Sequence, residues 1–285
     1  MAKWIIFFQE RFPFHNYFIL SLGFAFSGAA IHSDSLKWIP IFFVTLGLML
    51  FFFELRLMDE FKDYSKDVIA HPHRPLPRKL LGLDQIHHLI LISFVLMIAF
   101  SVGVSFLSNP LAGGLYLSMT LYLGLMFKEF FIGQRLSQYP LTYGITHQLI
   151  LIPVCLFSGT FQNARNIYDS QFFSYSISVL GAFFSYEICR KLNPNAHPIL
   201  KTYLSVYGPI KTTFFVWTLL TIAGTGALFF DAAYFLWPIE WSVLLSMLLF
   251  LFQPARYKWV EKMAILSLCC HIWAGLILSL FRRIL

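Results

Sequence analysis

The stretch FFVTLGLMLFFFELRLMDEFKDYSKDVIAHPHRPLPR, residues 42–78, changes character abruptly. It begins as an apolar run of the kind that crosses a bilayer as a helix. From Asp59 onward it is dense in charge, and His71-Pro72 and Arg74-Pro75 then stop the helix, because the residue before proline is pushed out of helical backbone. The whole chain is 58% hydrophobic and 12% charged, with a mean hydropathy of +0.69. A soluble domain is about a quarter charged, so composition excludes one.

Working outward, apolar runs near 14–31, 38–58, 87–107, 112–131, 141–159, 171–189, 209–230, 234–253 and 259–281 predict an all-α polytopic membrane protein of about nine spans. No linker or soluble segment interrupts them, so residues 1–285 are expected to form one integral domain. The first run has polar breaks and no small-residue cleavage site, which predicts a retained helix. The net charge of +7 does not require a nucleic-acid partner. With a cytoplasmic N-terminus, all of the 21 Lys and Arg except Lys37, Arg165, Arg282 and Arg283 fall on the cytoplasmic side. The positive-inside rule therefore places the N-terminus in and the C-terminus out. Cys155, Cys189, Cys269 and Cys270 lie in spans without metal-ligand spacing and read as buried apolar residues.

Two cytoplasmic loops, 59–86 and 187–208, are long and rich in charge, proline and tyrosine, and they stand four spans apart. Polar intrusions inside spans are few: His147 and Gln148, with Glu54 and Arg56 near the end of span 2. That scarcity argues against an ion-coupled carrier and for chemistry at one membrane face.

On a continuing helix, Asp59, Asp63 and Asp67 occupy an arc of roughly 80° and rise about 12 Å. Two readings are open. Lys62 and Lys66, three residues after Asp59 and Asp63, suit a salt-bridged helix end. Alternatively the carboxylates bind Mg²⁺, which takes one or two carboxylates together with substrate phosphates. In that reading Arg74, Arg78 and Lys79 close on the phosphates, and the hydrocarbon part of the substrate lies in a central apolar cavity.

The run DEFKDYSKDVIAHPHRPLPR resembles the first signature of the UbiA-type intramembrane prenyltransferases, N-D-x-x-D-x-x-x-D followed by a loop ending in R-P-L. Asp63 and Asp67 match its last two aspartates and Arg74-Pro75-Leu76 its loop. Asp59 stands for the Asn and Glu60 for the first Asp. The layout of nine spans, with motifs after the second and sixth, is similar too. The resemblance implies Mg²⁺-dependent transfer of an isoprenyl group from a prenyl diphosphate to a lipophilic or aromatic acceptor in a bacterial inner membrane, with membrane lipid around it.

It further implies metal ligands Asp59, Asp63, Asp67 and Glu187, with Asp63, Asp67 and Lys191 central to catalysis. The diphosphate would meet Arg74, Arg78, Lys128, Arg190, Lys191, Lys201 and Tyr203. The second family motif, D-x-x-x-D, is altered: YEICRKLNP puts Glu187 at the first acid and Lys191 at the second. A protonated lysine cannot ligate Mg²⁺ but can contact phosphate, so Arg190 and Lys191 are expected to replace metal charge. Glu187 and Lys191 also form an ordinary i,i+4 helix pair.

Plainer readings compete elsewhere. Lys128 and Arg135 suit positive-inside anchoring, His71 and His73 a solvated Pro-rich loop, and His147 either an acceptor-side base or an interhelical hydrogen bond. The 33 Phe and 7 Trp suit a cavity that shields an allylic cation, although no single one is nominated. A membrane terpene cyclase and a non-catalytic lipid-binding or carrier protein remain as alternatives.

Overall fold

The computed structural model describes residues 2–31 and 36–284, and those residues are helical with no strand. Helices α1 (Ala2–Arg11), α2 (Phe14–Ala30), α3 (Trp38–Lys62) and α4 (Tyr64–Ala70) lead to α5 (Leu83–Leu107) and α6 (Pro110–Phe127). The short α7 (Gly133–Leu136) precedes α8 (Pro140–Gln148), α9 (Leu151–Gln162) and α10 (Ser170–Cys189). The chain finishes with α11 (Tyr203–Phe229), α12 (Ala233–Phe252), α13 (Tyr257–Ile272) and α14 (Ala274–Ile284).

Seven of these segments are long and apolar enough to cross a membrane: α3, α5, α6, α8 with α9, α10, α11 and α12. Residues 254–283 add an eighth if the pair α13 and α14, bent by 61°, counts as one span. The expected count of nine also needs α2, which is helical but only 17 residues long. Outward-facing Leu91, Ile92, Val95, Leu96 and Phe106 of α5 are more than half exposed, which suits contact with lipid and not with water.

Two halves share one packing pattern. In the first, α3 packs on α2, α5 and α9, and α6 on α9. In the second, α10 packs on α9, α11 and α13, and α12 on α13. The neighbours of α3 thus recur around α10, four spans later. The most extensive crossing, α10 with α11, uses small residues. A Cβ on Gly181 would sit 2.5 Å from the Leu219 carbonyl oxygen, and one on Gly226 2.7 Å from that of Ser174. Without a hydrophobic drive between helices in lipid, such close approach supplies the packing energy.

Two expectations are corrected. Ionisable residues inside spans extend beyond His147, Glu54 and Arg56. Glu240 of α12 and His271 of α13 are buried and bonded at 2.8 Å, and the fully buried Glu54 of α3 accepts from Ser93 of α5. Each sits opposite a polar partner, which is how a polar group is tolerated in a membrane interior. Lys62 does not pair with Asp59. It spans to α6 and α8, donating to the Met126 carbonyl (3.1 Å) and the Tyr143 hydroxyl (3.0 Å).

Candidate functional site

The carboxylate stripe forms as its spacing predicts. Backbone bonds Asp63→Asp59 (2.9 Å), Asp67→Asp63 (2.8 Å) and His71→Asp67 (2.8 Å) carry the helical pattern from α3 through α4. Turns then replace helix across His71–Leu81, where prolines remove donors and fix φ. Lys79 takes a left-handed φ of 61° in this stretch.

Each acid of the stripe has a different setting. Asp59 is half-buried and lines a space of about 10 Å³, water-sized, with Leu55, Met58, Lys62, Leu123, Met126 and Phe127. Asp63 is exposed, with Lys66 3.8 Å away. Asp67 is buried, and both of its oxygens accept from Nη1 of Arg74, at 2.6 and 2.7 Å. Arg74 of the R-P-L turn therefore anchors its own loop to the stripe. Glu60 turns to the opposite side and is held by Arg11 of α1, with Arg56 3.8 Å away.

The second motif faces the first. Glu187, in the last turn of α10, accepts from Arg190 Nε and Lys191 Nζ, both at 2.5 Å. Arg190 is held firmly protonated, foremost by Glu187, with Tyr186 and Asp59 adding to the effect. Arg190 thus lies within electrostatic reach of both motifs. The loops also touch directly where α4 meets the short turn Pro198–Leu200.

The remaining sequence-predicted residues disperse. Arg78 pairs with Glu10 at 2.8 Å on an exposed edge of α1. Lys128 Nζ sits 5.5 Å over the Phe127 ring. Lys201 is exposed, with a left-handed φ of 42°. Tyr203 is buried, with Lys191 Nζ 5.9 Å from its ring and its hydroxyl against Gly144.

Burial pushes the Arg11 guanidinium down from its ordinary value despite Glu60. His71 is also lowered, by burial and then by Arg74. Sequence reasoning missed Arg11, Arg56 and the reach of Lys62. The available signal was charge lying next to apolar runs, without any indication of its partner.

The all-oxygen donor set suits Mg²⁺, but the structure does not assemble it into one cluster. Among the described residues no group of three or more His, Cys, Asp or Glu side chains is disposed to hold a metal. Asp67 and Glu187 are occupied by cations, Asp63 lies 3.8 Å from Lys66, and Asp59 stands one helical turn away from Asp63.

Fold and site together define an integral membrane protein whose two charged loops meet at one end of a helical bundle. No family model and no curated protein matches the chain. Among solved structures, one that concerns digeranylgeranylglyceryl phosphate synthase in membranes matches with a TM-score of 0.66. Identity is 18%, over 98% of this chain and 99% of that one. The chain therefore has the fold of that structure along nearly its whole length.

Proposed function

We propose that this protein transfers an isoprenyl group from a prenyl diphosphate to an acceptor within the membrane. The observation that carries the reading is the convergence of the two motifs. Arg190 lies within electrostatic reach of Asp59, and α4 touches the Pro198–Leu200 turn, on the fold of a prenyl-transferring synthase. Neighbouring acids and bases of this kind bind a metal-bearing diphosphate and are poorly suited to hold a neutral lipid alone.

Asp59 and Asp63 would hold Mg²⁺, which when bound neutralises charge on the diphosphate. Arg190, Lys191 and Arg74 contact phosphate oxygens, exchanging Glu187 and Asp67 for the ligand. Asp67 and Glu187, once released, would be available beside Asp59 and Asp63 as further metal ligands. These cations stabilise charge as the C1–O bond ionises, and the acceptor adds to C1. Tyr203, with Lys191 near its ring, would border this diphosphate site, and Arg78, Lys128 and Lys201 would approach it only from its periphery.

The prenyl chain enters beside Asp59, past Leu55, Met58, Leu123, Met126 and Phe127, parting α3 from α6 to open the central apolar cavity. With α2 counted as a span the bundle has nine, in a bacterial inner membrane. The N-terminus is then cytoplasmic and the C-terminus outside.

The test is release of pyrophosphate from prenyl diphosphates of several lengths by purified protein with Mg²⁺, together with product analysis. Prenylated acceptor supports the reading, and a cyclic or hydroxylated terpene formed without acceptor would assign a cyclase instead. No pyrophosphate under any acceptor would favour a non-catalytic lipid-binding protein.

A further inference from the structure

His147 stands where α8 gives way to α9. Pro153 explains the break, since it offers no N–H to the Leu149 carbonyl, which accepts instead from Ile152 N (3.2 Å) in a tighter turn. The imidazole just before the break is fixed on several sides. Its Nδ1 lies 2.9 Å from the Tyr143 carbonyl oxygen. A carbonyl only accepts, so Nδ1 carries the proton and Nε2 keeps its lone pair. The ring stacks on Tyr143 at 3.9 Å and 14°, and meets the edge of Phe130 at 5.8 Å.

Nε2 itself is buried without a hydrogen-bond partner. A purely structural histidine would waste this atom, because leaving a buried acceptor unsatisfied is unfavourable and a phenylalanine would fill the same space. Its surroundings give the lone pair a use. Tyr143, on which the ring stacks, receives the Lys62 ammonium at 3.0 Å, and Lys62 borders the same small space as Asp59. The charged groups that act on the imidazole are Lys62 of α3 and Lys191 and Glu187 at the end of α10. Glu129 lies 3.9 Å beyond Lys62, and the Tyr122 hydroxyl donates to the adjacent Thr146 carbonyl at 2.5 Å. His147 thus keeps a bare nitrogen within electrostatic reach of Lys62 and of the second motif.

We propose that His147 Nε2 accepts the proton that the acceptor loses on being prenylated. This rests on the prenyl-transfer reading and adds the chemical class of the acceptor: one bearing a hydrogen on its attacking atom, a hydroxyl or an aromatic ring carbon. The bond between C1 and the diphosphate oxygen breaks with its electron pair leaving on the diphosphate. An electron pair of the acceptor forms the new bond to C1. The proton from the attacking atom goes to Nε2, giving an imidazolium still anchored through Nδ1–H to Tyr143, and it passes from there to water.

The experiment uses full-length protein in nanodiscs with Mg²⁺ and farnesyl diphosphate labelled at C1. An aromatic hydroxy acid, a glycerol phosphate or water alone serves as acceptor. His147→Ala and His147→Gln are compared with wild type, the second variant preserving polarity and volume if the first folds poorly. The expected result is transfer to the acceptor in use, water included, reduced about 10²–10⁴-fold, the range for general base catalysis. Labelled-diphosphate binding stays within about threefold of wild type. Added imidazole restores transfer in His147→Ala, increasingly as pH rises and more of it is free base, which a merely structural role would not produce. Wild type that transfers, with both variants within about threefold of it, overturns the inference alone. Wild type that releases no pyrophosphate overturns the prenyl-transfer reading and this inference with it.

Discussion

The pair Asp67–Arg74 permits a worked prediction, because it is well defined and joins the stripe to the R-P-L turn. The Asp67 side chain is 4% exposed and that of Arg74 26%, and one guanidinium nitrogen serves both carboxylate oxygens at 2.6 and 2.7 Å. Opposite charges about 4 Å apart attract by about 4 kcal/mol at an effective dielectric of 20, which sets a ceiling. Arg74 keeps a quarter of its surface in solvent, and ordering its side chain has an entropic cost, so a coupling of about 2 kcal/mol is expected. Asp67→Ala and Arg74→Ala should each lower the unfolding temperature by roughly 5 °C, taking about 2–4 °C per kcal/mol for a large chain. The double variant should unfold close to the worse single one. Thermal unfolding in detergent measures all four proteins, and shifts that add to within about 0.5 kcal/mol would show that the two residues are not coupled.

Other consequences follow from particular contacts. Replacing Glu240 by Leu leaves His271 Nε2 buried and unpaired, which should cost about 2–4 kcal/mol; Glu240→Gln, which can still hydrogen-bond, should lose less in the same unfolding assay. Gly226→Leu drives a side chain into the backbone of α10 at Ser174 and Ser178 and should prevent a folded monodisperse protein on gel filtration. Burial and Arg74 hold His71 below its ordinary 6.5, so the folded state favours the neutral ring. The stability this gives is fully present above 6.5 and is lost as pH falls from there through the lower folded midpoint. Histidine NMR should show a His71 midpoint below 6.5 that rises in Arg74→Ala, and an unchanged midpoint would remove Arg74 as a cause.

Much of the fold was legible because apolar runs separated by charged loops leave few arrangements in a bilayer. Asp59, Asp63 and Asp67 were placed on one helical line by spacing alone, and the structure keeps that line. Their partners were not legible, since spacing shows only local neighbours. Lys62 looked like the counter-ion of Asp59 but reaches Tyr143, 81 residues away in sequence. Glu60 looked like a motif acid but is clamped by Arg11 of α1. Glu240 was lost in an apolar run because its partner His271 lies on the next helix, 31 residues on. The arrangement of Glu187, Arg190 and Lys191 follows ordinary helix spacing and was legible. Its approach to Asp59 depends on how α9 packs against both α3 and α10, and only the packing reveals that.

The most direct measurement is Mg²⁺-dependent pyrophosphate release by purified protein from a prenyl diphosphate, in wild type and in Asp59→Asn with Asp63→Asn. Prenyl transfer through these carboxylates predicts release coupled to a prenylated product, reduced at least a hundredfold in the double variant while the protein still folds. Equal turnover by wild type and the variant, or no release by either, would contradict it.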